Sequence, residues 1–292
     1  MVTDYAALLR ELAIPRLVGT ANHIKVRAIL KRELAARGFA VEEHAFAARP
    51  SRMLFGAPPL VQGVNLIAPP GWPAGRPPVW LVAHYDSKGQ PISMALRLAG
   101  VVALVAGLVG LLLDPALAVA LLAAGAIVLS QNRVTNNSPG AVDNASAVIA
   151  VLMTLDHLPR ATDVGVIFPD AEELGLIGAR ALAAERAALL AGAAVVNLDG
   201  IDDIGRPIAF LHRAGPIGQA VARELGATRA PWLPVLVDGI ALARVAGECV
   251  TILQGDWRTA RIVHTPRDGA DRLSLAGARQ VAEGLARVID RA

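Results

Sequence analysis

The chain has 292 residues, enough for one large α/β domain with an insertion or for two small domains. Hydrophobic residues make up 54% and aromatics only 4%, with a mean hydropathy of +0.48, so the surplus is Ala, Leu, Val and Ile and requires a large core or a membrane. A net charge of +3 without any Lys/Arg run gives no nucleic-acid footprint, and the single Cys249 excludes an internal disulfide and a cysteine-held zinc, leaving His and carboxylates for any metal.

The start, MVTDYAALLRELAIPRL, lacks a basic residue cluster followed by an apolar run, so it does not read as a secretory signal and the folded domain is expected in the cytosol. Residues 5–13 and 22–37 carry apolar residues at helical spacing, the second stretch ending before Gly38. Val41 to Phe46 alternates like a strand. VQGVNLIA (61–68) and VWLVAH (79–84) read as neighbouring strands across the turn-rich PPGWPAGRPP.

Past residue 141 strands and helices alternate. Helices are predicted over 144–157, 175–189, 216–225 and 274–290, and strands over 164–168, 194–198, 207–212 and 249–254. Apolar strands alternating with helices predict an α/β fold with a sheet covered on both faces.

One segment breaks this pattern. Residues 98–113 (LAGVVALVAGLVGLLL) and 116–129 (ALAVALLAAGAIVL) are wholly apolar and flank Asp114-Pro115. Each arm is shorter than the ~20 residues that span a bilayer comfortably. Counting from Ile92 lengthens the first arm to 22 residues, with Arg97 near an interface. One reading is an apolar helical hairpin over 92–135, inserted in a domain formed by 1–91 and 136–292. It would contribute a transmembrane helix and associate with the membrane through 92–130. Lys88, Arg97 and Arg133 at its base would keep the folded domain on the cytoplasmic side. The other reading is a helix pair buried against the domain or a second subunit, in a soluble cytoplasmic protein. Small residues in both arms allow close packing either way.

Acids and histidines collect where apolar strands end, the edge at which open α/β sheets gather ligands. His84 follows VWLVA, and Asp86 is close enough to fix its tautomer. Glu172 and Glu173 follow VGVIF, and Asp199 follows AVVNL, while Asp143 and His264 lie in adjoining segments. Individually these are ordinary: Asp143 can be a helix N-cap and the glutamates an acidic first turn. Together, two imidazoles and several carboxylates make a suitable shell for paired zinc ions.

AHYDS (83–87), PGAVDNASA (139–147), FPDAEELGLIGA (168–179), NLDG (197–200) and HTPRD (264–268), in this order, resemble the M28 family of zinc metallo-aminopeptidases. PRLVGTANHIKVRAILKRELAARGF (15–39) is also similar, so the resemblance covers roughly 15–91 and 136–290 and leaves the apolar hairpin as an insertion. It implies a phosphorylase/hydrolase-like three-layer α/β/α sandwich with a mixed, mostly parallel sheet. It implies two Zn2+, with Asp143 bridging, His84 and Asp199 on one ion and Glu173 and His264 on the other. Glu172 would be the general base, Asp86 would orient His84, and the substrate would be a peptide hydrolysed at its N-terminal bond. Two departures stand out. Val237-Asp238-Gly239 replaces a Ser-Asp-His stretch, removing a pocket histidine, and with only Tyr5 and Tyr85 present no late-chain tyrosine can assist an oxyanion. Alternatives are a glutaminyl cyclase-like zinc acyltransferase and a catalytically inactive membrane receptor or interaction domain.

Overall fold

The computed structural model describes residues 3–51, 54–70, 79–159, 164–232 and 235–291. Helices α1 (Tyr5–Leu12) and α2 (Ala21–Ala36) precede strands β1 (Glu42–Ala48), β2 (Val61–Ala68) and β3 (Val79–Val82). Then come α3 (Met94–Gly110), α4 (Pro115–Ser130), α5 (Ser146–His157), β4 (Val164–Phe168), α6 (Ile177–Glu185), α7 (Ala187–Leu190) and β5 (Ala194–Ile201). The chain continues through β6 (Arg206–Arg213), α8 (Pro216–Glu224), β7 (Thr228–Arg229), α9 (Gly239–Leu242), β8 (Glu248–Gly255), α10 (Trp257–Ala260) and α11 (Ala276–Asp290).

The described strands form one eight-stranded mixed sheet in the order β1-β2-β4-β3-β5-β8-β6-β7. The central β4, β3, β5 and β8 run parallel, with antiparallel pairings toward both edges. Side-chain alternation along β3 explains the layers: Leu81 packs on one face, Trp80 and Val82 on the other. α1, α2, α5, α8 and α11 cover the first face, and α6, α7 and α9 the second. The α/β/α sandwich is therefore as expected. Each fully buried Val or Leu of these strands contributes about 1.5–3 kcal/mol of transfer free energy.

Some expectations change. β2 and β3 are not neighbours, because β4 lies between them, antiparallel to β2 and parallel to β3. Much of the turn-rich stretch before β3 falls at 71–78, outside the described residues. The helix expected over 175–189 begins at Ile177, after left-handed Gly175 and Leu176, and breaks at Arg186 before α7.

α3 and α4 form an antiparallel hairpin packed chiefly on itself. Ser93 Oγ caps α3 by accepting from Leu96 N–H at 3.3 Å, and Asp114 caps α4 by accepting from Ala116 and Leu117 N–H, both at 3.1 Å. Gly125 permits the close seam, since a Cβ there would stand 2.8 Å from the Gly100 carbonyl oxygen. The expected transmembrane helix is not found: no helix among the described residues is long and apolar enough to cross a membrane. The Ser93 cap starts the first arm at Met94, and it ends at Gly110 after 17 residues.

Candidate metal centre

β3, β4 and β5 run parallel, so their C-terminal ends meet at one edge. His84 lies just beyond β3, Glu172 and Glu173 form a 3-10 turn beyond β4, and Asp199 lies in β5 at a break in its register with β8. Asp143 comes from the kinked turn before α5, and His264 from the loop after α10 in a left-handed conformation (φ 64°). All five proposed ligands and both proposed catalytic carboxylates converge here.

Asp143 is the hinge of the cluster. Its Oδ1 stands 3.1 Å from His84 Nε2 and its Oδ2 stands 3.0 Å from His264 Nε2. His264 Nε2 is also 2.9 Å from Glu173 Oε2, and His84 Nε2 is 4.0 Å from Asp199 Oδ1. Ligand atoms of His84, Asp143 and Asp199 lie within 4.8 Å of one another, as do those of Asp143, Glu173 and His264. Glu172 belongs to neither group, though its Oε2 is 3.9 Å from His84 Nε2.

The donor set fits paired cations. Both nitrogens of buried His84 and Oε1 of buried Glu173 lack hydrogen-bond partners, a costly arrangement for groups removed from water. Imidazole and carboxylate ligands without thiolate suit zinc.

The electrostatics separate the carboxylates. Burial pushes Glu172 and Asp199 well above the ordinary carboxylate range, reinforced by their acidic neighbours. Burial also opposes ionisation of Asp143 and Glu173, but His264 and His84 hold Asp143 well below that range, and His264 with Lys88 holds Glu173 down to about 2. His84 rises despite its burial because Glu172, Asp143 and Asp86 favour its charged form.

Asp86 does more than face His84, whose Nδ1 is 3.3 Å away without hydrogen-bond alignment. Its two oxygens accept from the Glu172 and Glu173 backbone N–H at 3.1 and 3.3 Å, fixing the acidic turn. Other supports were not singled out by sequence reasoning. Asp268 accepts from Val142 and Asp143 N–H at 2.8 and 3.2 Å. Asn144 joins that turn to β5, donating to the Leu198 carbonyl and accepting from Gly200 N–H. Fully buried Arg16 donates to the carbonyls of Tyr85, Pro139 and Gly140, clamping the segments that carry His84 and Asp143. Arg16, Asp268 and Asn144 all fall inside the recognisable motifs, and that position was the available signal.

Lys88 and Arg97 are not simply cations at the hairpin base. Lys88 is buried, with Nζ 3.1 Å from Glu173 Oε2, and Arg97 Nη2 approaches His264 Nδ1 at 2.9 Å. Gln90 Oε1 also faces that nitrogen at 3.1 Å. Asp238, in the altered Val-Asp-Gly stretch, is fully buried without a hydrogen-bond partner, and burial pushes it up to about 7. Gly239 has no room for a side chain, since a Cβ would meet His212 Nε2 at 2.5 Å. His212 thus fills space beside the position where the family pattern carries a histidine.

The cluster opens into a pocket of about 210 Å³ with Met94, Ile208, Val237, Leu253 and Val263 among its walls.

A scan of protein families matches residues 67–289 to peptidase family M28, and the chain belongs to that family. No curated protein sequence matches it significantly. Among solved structures, glutaminyl cyclase from Porphyromonas gingivalis is similar with a TM-score of 0.69 and 18% identity, covering 98% of this chain and 96% of that one. A Zn-dependent exopeptidase from Parabacteroides distasonis gives 0.66 and 19%, covering 98% and 97%. A zinc aminopeptidase from Bacillus subtilis gives 0.65 and 13%, covering 98% and 94%. At these identities the likeness establishes the fold.

Proposed function

We propose that this chain is a di-zinc aminopeptidase, hydrolysing the N-terminal bond of peptides. The observation carrying this reading is Asp143, whose two carboxylate oxygens face the two ligand groups separately. His84 and Asp199 would complete one zinc site, and Glu173 and His264 the other. When bound, paired zinc ions supply Lewis acidity that favours ionisation of water and polarises the scissile carbonyl.

The chain's own groups perform the remaining work. Glu172 belongs to neither ligand group but stands 3.9 Å from His84 Nε2, placed to accept a proton at Oε2 and return it to the leaving amine. Burial raises its proton affinity above that of an ordinary carboxylate. Asp86 fixes Glu172 through the backbone and faces His84 Nδ1. The apolar walls suit an apolar N-terminal side chain and limit water around the reacting bond.

The test is metal content per chain combined with a substrate screen. The expected result is two zinc ions and release of the chromophore from amino-acyl anilides. One zinc with cyclisation of N-terminal glutamine would replace this reading by a cyclase. Failure of metal-replete protein to bind zinc at micromolar concentration would leave an inactive interaction domain.

A further inference from the structure

The hairpin exposes apolar side chains on every side except its own seam. Val102, Val105 and Val109 of α3, Leu117, Val119 and Ile127 of α4, and the tip residues Leu112 and Leu113 are all exposed, the last two at 91% and 83%. No polar residue interrupts α3 after Arg97, or α4 between Pro115 and Leu129. A second copy or a protein groove would cover one broad face and leave the other in water. Hydrocarbon covers all faces at once.

A second observation lies at the hairpin base. The exposed large aromatics among the described residues are Phe55, Trp232 and Trp257. Phe55 pairs through its backbone with Arg133, just beyond α4. Trp232 lines a groove with Leu98 and Val101 of α3, and Trp257 belongs to α10, which packs against α3. Arg261 lies 5.3 Å from the Trp257 ring centre, and Arg258 is also exposed. Exposed tryptophans, one of them beside an arginine, next to an apolar projection match the chemistry of the headgroup layer.

We infer that the hairpin is a lipid-docking element that enters a bilayer from one side, seating Trp232, Trp257 and the neighbouring arginines among anionic headgroups. α3 has 17 residues; at ~1.5 Å per residue it is about 26 Å long, short of the ~30 Å hydrocarbon core, so both ends stay on one surface. Asp114, the one ionisable group near the tip, already receives two N–H donors from α4. The same face of α3 that supplies Met94 to the metal pocket supplies Leu98 and Val101 to the groove, and both cavities share Val235, Leu236 and Val237. Docking would therefore hold the pocket beside the lipid surface. This inference concerns the surface alone and stands whichever reaction the metal centre performs.

The test is flotation of the full chain with phosphatidylcholine vesicles, with and without phosphatidylglycerol. The protein is expected to float with both and to bind the anionic vesicles more tightly. The double variant L112E/L113E should weaken binding about 100-fold or more, with unchanged circular dichroism and melting temperature. Vesicles should also shift tryptophan emission to the blue, and W232F/W257F, which leaves two of the four tryptophans, should diminish that shift while leaving the hairpin intact. Protein that stays in the aqueous fraction with both vesicle types overturns the inference. So does a lipid-free dimer that L112E/L113E dissociates and that does not float.

Discussion

Glu172 occupies an unfavourable place for a charge, buried beside Asp199 and Glu173, and that environment raises its proton affinity. Replacing it by Gln keeps shape and removes the proton acceptor. Glu172→Gln should retain its zinc by direct metal analysis and lose roughly 10²–10⁴-fold in kcat; near-native turnover would reject the assigned role. Asp86 acts through other residues. Asp86→Asn places an amide between His84 and the backbone donors of Glu172 and Glu173, so zinc affinity should fall by roughly 10–100-fold in chelator competition. An unchanged affinity would mean that Asp86 only shapes the loop.

At the scale of elements, parallel strands deliver the chemistry because their C-terminal ends share an edge, while the segments carrying Asp143 and His264 are drawn in by Asp268, Asn144 and Arg16. The hairpin is a separate packing problem, solved by a glycine seam. Gly125→Leu would drive a side chain against Leu104 and the Gly100 carbonyl. Overpacking of this kind costs about 1–3 kcal/mol, so hydrogen exchange should rise across 94–130 and stay unchanged in the sheet. Equal protection in both proteins would show that the arms are not held at this seam.

At the scale of the whole molecule, the fold buries a carboxylate cluster that cations would compensate. Stripping metal should lower the melting temperature, and adding zinc should restore it. The pH dependence of the stripped protein follows from the shifts. His84 is raised, so its stabilisation is full below its unfolded value of about 6.5 and is lost as pH rises through the folded value. Glu172 and Asp199 are also raised, so each costs stability as pH climbs above the ordinary carboxylate range. Asp143 and Glu173 are depressed, and their stabilisation disappears only on strong acidification. Metal-free protein should therefore melt lower at about pH 8 than at about pH 6, whereas zinc, which competes with protons for the same ligands, should reverse or flatten the trend. Calorimetry at both values with and without zinc checks this, and a metal-free protein more stable at the higher pH would contradict it.

What the sequence determined by itself was local and periodic. VGVIF and VWLV announce buried strands because only fully covered strands are apolar at every position. The order of His84, Asp143, Glu172-Glu173, Asp199 and His264 was enough to identify the family to which the chain belongs. The tertiary structure decided what depends on pairing and distance. It inserted β4 between β2 and β3, since strand order is set by crossovers and not by sequence adjacency. It turned Lys88 and Arg97 from cations at a hairpin base into groups facing Glu173 and His264, because burial and direction depend on how the chain returns to the site. It also divided the oxygens of Asp143 between two histidines, a relation across 180 residues of chain between His84 and His264 that no local pattern can encode.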